Sequence, residues 1–195
     1  DVTGHAPLPN QANGVDIFGG AHANLIGGSS VGMRNFIAAN IGSGIAISGI
    51  GTNSNLVQGN SIGLDIGGAS AGNAYQGIAL FQSQESDPSG PQFNIIGGSS
   101  AGASNQIAGN TFEGIALFGA GTLKDTISGN SIFSNHYAGI GIYDDSNNNQ
   151  AAPELDTAVL GSVSNPGGTD LGGMLHSTAN TSYRIEFFSN PAGTA

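Results

Sequence analysis

Asn24–Asn40 reads NLIGGSSVGMRNFIAAN, and Asn94–Asn110 reads NIIGGSSAGASNQIAGN. Eleven of the seventeen positions are identical. A shorter phrase recurs between and beyond them: Gly44-Ile-Ala-Ile, Gly77-Ile-Ala-Leu, Gly114-Ile-Ala-Leu and Gly139-Ile-Gly-Ile. Self-similarity at this spacing marks a solenoid. It also sets the standard for functional claims, because a residue that recurs with the repeat serves the repeat first.

Working outward, the phrases align as three short strands per turn of the chain. The first type is Val15-Asp16-Ile17, then Ile45-Ala46-Ile47, Ile78-Ala79-Leu80, Ile115-Ala116-Leu117 and Ile140-Gly141-Ile142. Each alternates at period two, the strand signal. The second type is Asn24-Leu-Ile-Gly, Asn55-Leu-Val-Gln, Asn94-Ile-Ile-Gly and Asp125-Thr-Ile-Ser. The third is Asn35-Phe-Ile-Ala, Ser61-Ile-Gly-Leu, Asn105-Gln-Ile-Ala and Ser131-Ile-Phe-Ser. First strands start 30, 33, 37 and 25 residues apart, too close for a helical crossover around each strand. The spacing predicts an all-β, right-handed parallel β-helix of three-strand coils, about four to five of them, over residues 1–143. No coil can bury its own inner face, so stability must come from neighbouring coils.

Asparagines recur at the corners: Asn24, Asn55 and Asn94 before a strand, and Asn40, Asn60, Asn110 and Asn130 after one. Asparagine tolerates left-handed backbone and bonds its own turn, and stacked coils let amides form ladders. The pattern stops near Tyr143. Residues 144–195 read as a C-terminal cap or the start of a second, sandwich-like β module, with Tyr183–Phe188 an alternating strand candidate. Asp1–Gly28 resembles Asp65–Gly98, so the chain reads as beginning mid-repeat.

Composition limits the function. The 34 glycines rule against long helices, and the absence of a Gly-X-Y period excludes collagen. A net charge of −10 with only 3 Lys plus Arg excludes a basic nucleic-acid footprint and argues against docking on anionic lipid. There are no cysteines, hence no disulfides or thiolate metal sites. No apolar run is long enough for a membrane helix, and no signal peptide stands at Asp1. The acidic, lysine-poor surface fits an extracellular or cell-surface location.

The phrases Asn55-Leu-Val-Gln-Gly-Asn-Ser-Ile-Gly, Asn24-Leu-Ile-Gly-Gly and Gly44-Ile-Ala-Ile resemble the right-handed parallel β-helix repeat proteins of bacterial secreted and cell-surface chains. Thr181-Ser-Tyr-Arg-Ile-Glu-Phe-Phe-Ser-Asn resembles a segment that follows such helices in large modular surface proteins. The resemblance implies secretion and no settled activity, since the scaffold hosts lyases, hydrolases, epimerases, adhesins and stalks.

Candidate sites are few. Gly28-Ser-Ser-Val-Gly32 and Gly98-Ser-Ser-Ala-Gly102 match G-x-S-x-G, but no helix follows and the phrase occurs twice at one place in the repeat, so both read as turns. The weak catalytic alternative is Asp144 and Asp145 with His136, since a hydrolase needs two carboxylates across a sugar bond. Neighbours on a strand would point to opposite faces, and a polar exit turn explains them as well. The same two aspartates are the one weak calcium candidate, hard cations taking oxygen ligands; no other cofactor is implied. A lyase base would have to come from Arg34, Lys124 or Arg184, and Arg34 is Ser104 in the second copy.

The outward side of the first strand carries two columns. Asp16, Ala46, Ala79, Ala116 and Gly141 make a small, flat floor beside Phe18, Ser48, Phe81, Phe118 and Tyr143. Rungs lie about 4.8 Å apart, close to the length of a sugar ring. The aromatic column is either turned inward as core, covered by a partner or a second copy, or open to polysaccharide. The expected function is a non-catalytic repeat module for adhesion, spacing or self-assembly; the alternative is a polysaccharide-active enzyme or carbohydrate-binding module.

Overall fold

A computed structural model describes residues 3–30, 32–84, 86–87, 89–161 and 167–187. The first coil contains β1 (Val15–Ile17), β2 (Leu25–Gly27) and β3 (Phe36–Ile37). The second contains β4 (Ile45–Ser48), β5 (Leu56–Gln58) and β6 (Ser61–Ile62). The third contains β7 (Ile78–Phe81), β8 (Ile95–Gly97) and β9 (Gln106–Ala108). The fourth contains β10 (Ile115–Phe118), β11 (Thr126–Ser128) and β12 (Ser131–Phe133), and β13 (Ile140–Tyr143) opens a fifth. Like strands stack in parallel into three sheets, ordered β1-β4-β7-β10-β13, β2-β5-β8-β11 and β3-β6-β9-β12. The fold is a right-handed parallel β-helix.

The register is the one that the repeated phrases set: Ile45 pairs with Ile78, Ile78 with Ile115, and Ile115 with Ile140. Ile45, Ile47, Ile78, Leu80 and Ile115 are fully buried from the first sheet, Val57 and Ile96 from the second, and Ile62 and Ile107 from the third. Each such side chain contributes about 1.5–3 kcal/mol on burial. The last rung differs, with Ile140 at 47 % exposure.

The glycine before each of β1, β4, β7 and β10 has a steric cause. A Cβ on Gly44 would lie 2.6 Å from the Gly77 carbonyl oxygen and 2.7 Å from Ile62 Cγ2. A Cβ on Gly77 would meet the Gly114 oxygen at 2.6 Å and Ile107 Cγ2 at 2.5 Å. Real Cβ atoms do not approach so closely, so the close packing of successive coils at this corner requires glycine.

Three amide ladders run through the corners. In the first, Nδ2 of Asn40 donates to Oδ1 of Asn73 at 2.8 Å, Asn73 to Asn110 at 2.8 Å and Asn110 to Asn135 at 2.9 Å. In the second, Asn24 donates to Asn55, Asn55 to Asn94 and Asn94 to Asp125, each at 2.9 Å. In the third, Asn35 donates to Asn60 at 2.9 Å, Asn60 to Asn105 at 3.0 Å and Asn105 to Asn130 at 2.9 Å. Most of the buried amides also donate back to a main-chain carbonyl, as Asn105 does to Val57 at 2.8 Å and Asn94 to Thr52 at 3.1 Å. Buried polar groups must be paired in this way.

The ladders correct one expectation. The corner asparagines do not themselves take the left-handed backbone. The residue before each does, as at Ala23 (φ 56°), Ser54 (φ 56°), Phe93 (φ 58°) and Gly59 (φ 67°). Asparagine is selected because its amide reaches the next coil. Asn35, Asn73, Asn105 and Asn135 are ladder members that the corner pattern did not include. Asn40, Asn73, Asn110 and Asn135 each stand five residues before the first apolar residue of a first strand, and that offset was the available signal.

The chain divides into two compact units, with residues through Asn148 in the first and Asn149–Phe187 in the second. In the first, a polar turn follows β13: Ser146 Oγ donates to the Leu117 carbonyl at 3.0 Å, and Asn147 N–H to that of Thr122 at 3.1 Å. The second unit holds one antiparallel pair, β14 (Glu154–Leu160) with β15 (Thr169–Met174). The strand expected over Tyr183–Phe188 is absent from its described part, residues 183–187, where no ladder partner pairs with it; Phe188 lies outside the described residues.

Candidate functional site

Small residues and rings at fixed offsets from the buried isoleucines shape the outer face of the first sheet. Ala46, Ala79 and Ala116 occupy the outward floor positions and are 2 %, 5 % and 0 % exposed. Along the flanking column, Phe18 is exposed, Phe81 and Phe118 are half-buried, and Tyr143 is exposed. Phe118 stacks on Tyr143 with centroids 5.1 Å apart and planes 17° from parallel.

Tyr143 folds across its own coil. A Cβ on Gly141 would lie 2.5 Å from Tyr143 Cε2, so glycine at that floor position admits the ring. The Tyr143 hydroxyl then donates to Glu113 Oε1 at 2.6 Å, and Gln76 Nε2 donates to Glu113 Oε2 at 3.1 Å. Burial pulls the Glu113 carboxyl upward, but these hydrogen bonds and one from its own backbone outweigh it and leave its pKa below the usual value. The same bond, aided by burial, raises the Tyr143 phenol. The polar row continues to Ser43, whose Oγ donates to Gln76 Oε1 at 3.3 Å.

A second aromatic row was not anticipated. Tyr75, Phe112 and Tyr137 stack across three coils, with centroids 5.6 and 5.3 Å apart and planes within 12° of parallel. Each stands three residues before the first isoleucine of its strand, Ile78, Ile115 or Ile140, so the repeat offset carried the information. The polar row and the small floor lie between the two aromatic rows. A cleft of about 480 Å³ opens over Ala46 and Ala79, between Tyr75 and Phe81.

The other candidates disperse. His136 and Asp144/Asp145 stand at opposite ends of β13. His136 packs edge-on against Tyr137, with centroids 5.1 Å apart. Asp144 and Asp145 occupy consecutive left-handed positions (φ 53° and 60°) in the exit turn rather than on a strand. Both are exposed and line a shallow cleft with Gln82, Phe118 and Gly119. Among the described residues, no group of three or more His, Asp or Glu side chains is placed to hold a metal ion. Both G-x-S-x-G phrases lead into turns, with the Met33 N–H on the Ser30 carbonyl at 3.2 Å and the Ala103 N–H on that of Ser100 at 3.0 Å. Arg34 donates to the Gly59 carbonyl at 3.2 Å and serves the corner.

No protein-family model, curated protein or solved structure matches this chain.

Proposed function

We propose that this chain is a non-catalytic repeat module of an extracellular surface, built for spacing and adhesion. One observation carries the reading: three amide ladders run through all four coils and commit the buried asparagines to holding coil to coil. What remains outward is an aromatic and small-residue face suited to contact rather than bond cleavage. The resemblance to bacterial surface repeats supports the extracellular setting.

Single-molecule extension of the full chain tests the mechanical part. A spacer yields in coil-sized steps, and Asn60→Ala lowers the first yielding force. Incubation with neutral and acidic polysaccharides tests the chemical part. No reducing ends and no unsaturated uronates are expected; either product overturns the non-catalytic reading. Light scattering over a concentration series tests self-assembly, in which ordered oligomers would make the contact partner a second copy.

A further inference from the structure

Tyr75 opens its aromatic stack. One side of its ring meets Phe112 at 5.6 Å. In the preceding coil the equivalent position is Gly42, whose carbonyl accepts the Tyr75 N–H at 3.2 Å and which offers no ring. Tyr75 is 53 % exposed. The opposite column repeats the pattern, because Phe81 pairs in register with Ser48 of the same preceding coil. Two aromatic residues therefore stand at the edge of a coil in which both flanking positions are small. The cleft of about 480 Å³ lies at that step, with Ala46 and Ala79 as its floor. Its size falls within the range of small-ligand sites, about 300–1,000 Å³.

The lining is mostly apolar, with a few polar groups and no charged side chain. Ser43, Gln76, Gln82 and Asn13 contribute the hydrogen-bonding groups, and the carboxylate nearest in the floor column, Asp16, pairs with Ala46 one rung away and accepts from Asn13 Nδ2 at 2.7 Å. Gln76 uses one amide hydrogen on Glu113 and one carbonyl lone pair on Ser43. Its second hydrogen and second lone pair remain for a ligand, as do the lone pairs of Ser43 Oγ. Aromatic faces beside amide and hydroxyl groups suit a molecule with an apolar ring face and a rim of hydroxyls. The Glu113 carboxylate lies behind Gln76 on a chain of net charge −10, which disfavours an anionic ligand.

We propose that the cleft between Tyr75 and Phe81, floored by Ala46 and Ala79, binds a sugar unit of an uncharged glycan. This rests on the non-catalytic adhesion reading above and names its ligand class. The rung repeat of about 4.8 Å lets a linear glycan continue along the face toward the first coil.

Isothermal titration of the full chain with hexasaccharides of β-1,4-linked glucose, xylose and mannose, and with hexagalacturonate as the anionic control, tests it. Saturable binding of at least one neutral hexasaccharide is expected, with hexagalacturonate weaker. Tyr75→Ala and Gln76→Ala should each weaken binding by about tenfold. Tyr137→Ala, at the far end of the same stack and outside the cleft, should leave it unchanged. Phe81→Ser installs the residue that the fold already carries at Ser48, so it provides a folded variant should Tyr75→Ala not fold. Failure of all three neutral sugars to bind, equal binding of hexagalacturonate, or unchanged binding by Phe81→Ser would overturn the site. Mass spectrometry of the recovered glycan separates the two readings. Intact glycan is expected, and fragments would overturn the non-catalytic reading while leaving the cleft as the binding site.

Discussion

Asn94 places both its main-chain N–H and its Nδ2 on a single oxygen of Asp125, Oδ1, at 2.8 and 2.9 Å. The other oxygen, Oδ2, is buried without a hydrogen-bond partner. Asp125 is the only acid in the three ladders, standing where its predecessors Asn55 and Asn94 each carry an amide that donates to a carbonyl of the coil before. A carboxylate cannot donate; a carboxylic acid can. Burial pushes the Asp125 pKa up to about 6 against the opposing pull of the Asn94 bonds.

The first prediction follows from that shift. Between the ordinary carboxyl pKa of 3.8 and about 6 the folded chain holds a proton that the unfolded chain has released. This contribution to stability is fully present below 3.8 and is lost as pH rises through about 6. The span corresponds to about 3 kcal/mol. Glu113 and Asp65, whose pKa values are lowered, work in the opposite sense and lose stability as pH falls. The difference between the wild type and Asp125→Asn isolates the one group. Urea titrations from pH 4 to pH 8 should show the Asp125→Asn variant gaining on the wild type as pH rises. A constant difference would refute the assignment.

The second prediction concerns ladder position. Asn60 is fully buried, accepts from Asn35, and donates to Asn105 and to the Ile26 carbonyl. Asn60→Ala strands these partners and should cost about 2–3 kcal/mol. Asn24, exposed in the first coil, directs its amide forward to Asn55. Asn24→Ala should cost less than about 1 kcal/mol. Equal losses in chemical denaturation would show that the ladders do not carry the corners.

The sequence revealed the strands and their register because both depend on one short-range pattern, isoleucine alternation behind a glycine. It revealed less of the corners. Asn24, Asn55 and Asn94 were visible beside their strands, whereas Asn73 and Asn135 acquire meaning only when residues 33 and 25 positions apart are stacked. The outer face was half legible. The column from Phe18 to Tyr143 follows the strands directly, but Tyr75, Phe112 and Tyr137 precede them, in bends where alternation no longer says which way a side chain points. That Tyr143 folds over Gly141 onto Glu113 is a rotamer choice that no local pattern encodes.

The third prediction tests that rotamer. Tyr143→Phe removes the hydroxyl from Glu113 Oε1 and should let the Glu113 pKa rise, which carbon-detected NMR titration of its carboxyl reads directly. In the wild type, the phenol of Tyr143 should ionise above the ordinary tyrosine value of 10.0. A Glu113 titration unchanged by the substitution would place the ring elsewhere.

The fourth prediction separates packing from backbone propensity within one glycine column. Gly77 and Gly139 hold the same place before β7 and β13, and neither has a positive φ. A Cβ on Gly77 would press on the Gly114 carbonyl oxygen at 2.6 Å and Ile107 Cγ2 at 2.5 Å, both fixed by the coils around them. A Cβ on Gly139 meets only Ile132 Cγ2, at 3.6 Å, an ordinary contact. Gly77→Ala should therefore destabilise by about 2 kcal/mol or more, within the range of overpacked cores. Gly139→Ala should be neutral or stabilise by a few tenths of a kcal/mol, because alanine reduces the freedom of the unfolded chain. Paired thermal melts distinguish the causes: opposite signs mean that glycine is there for the approach of the next coil, and equal losses mean that the backbone itself demands it.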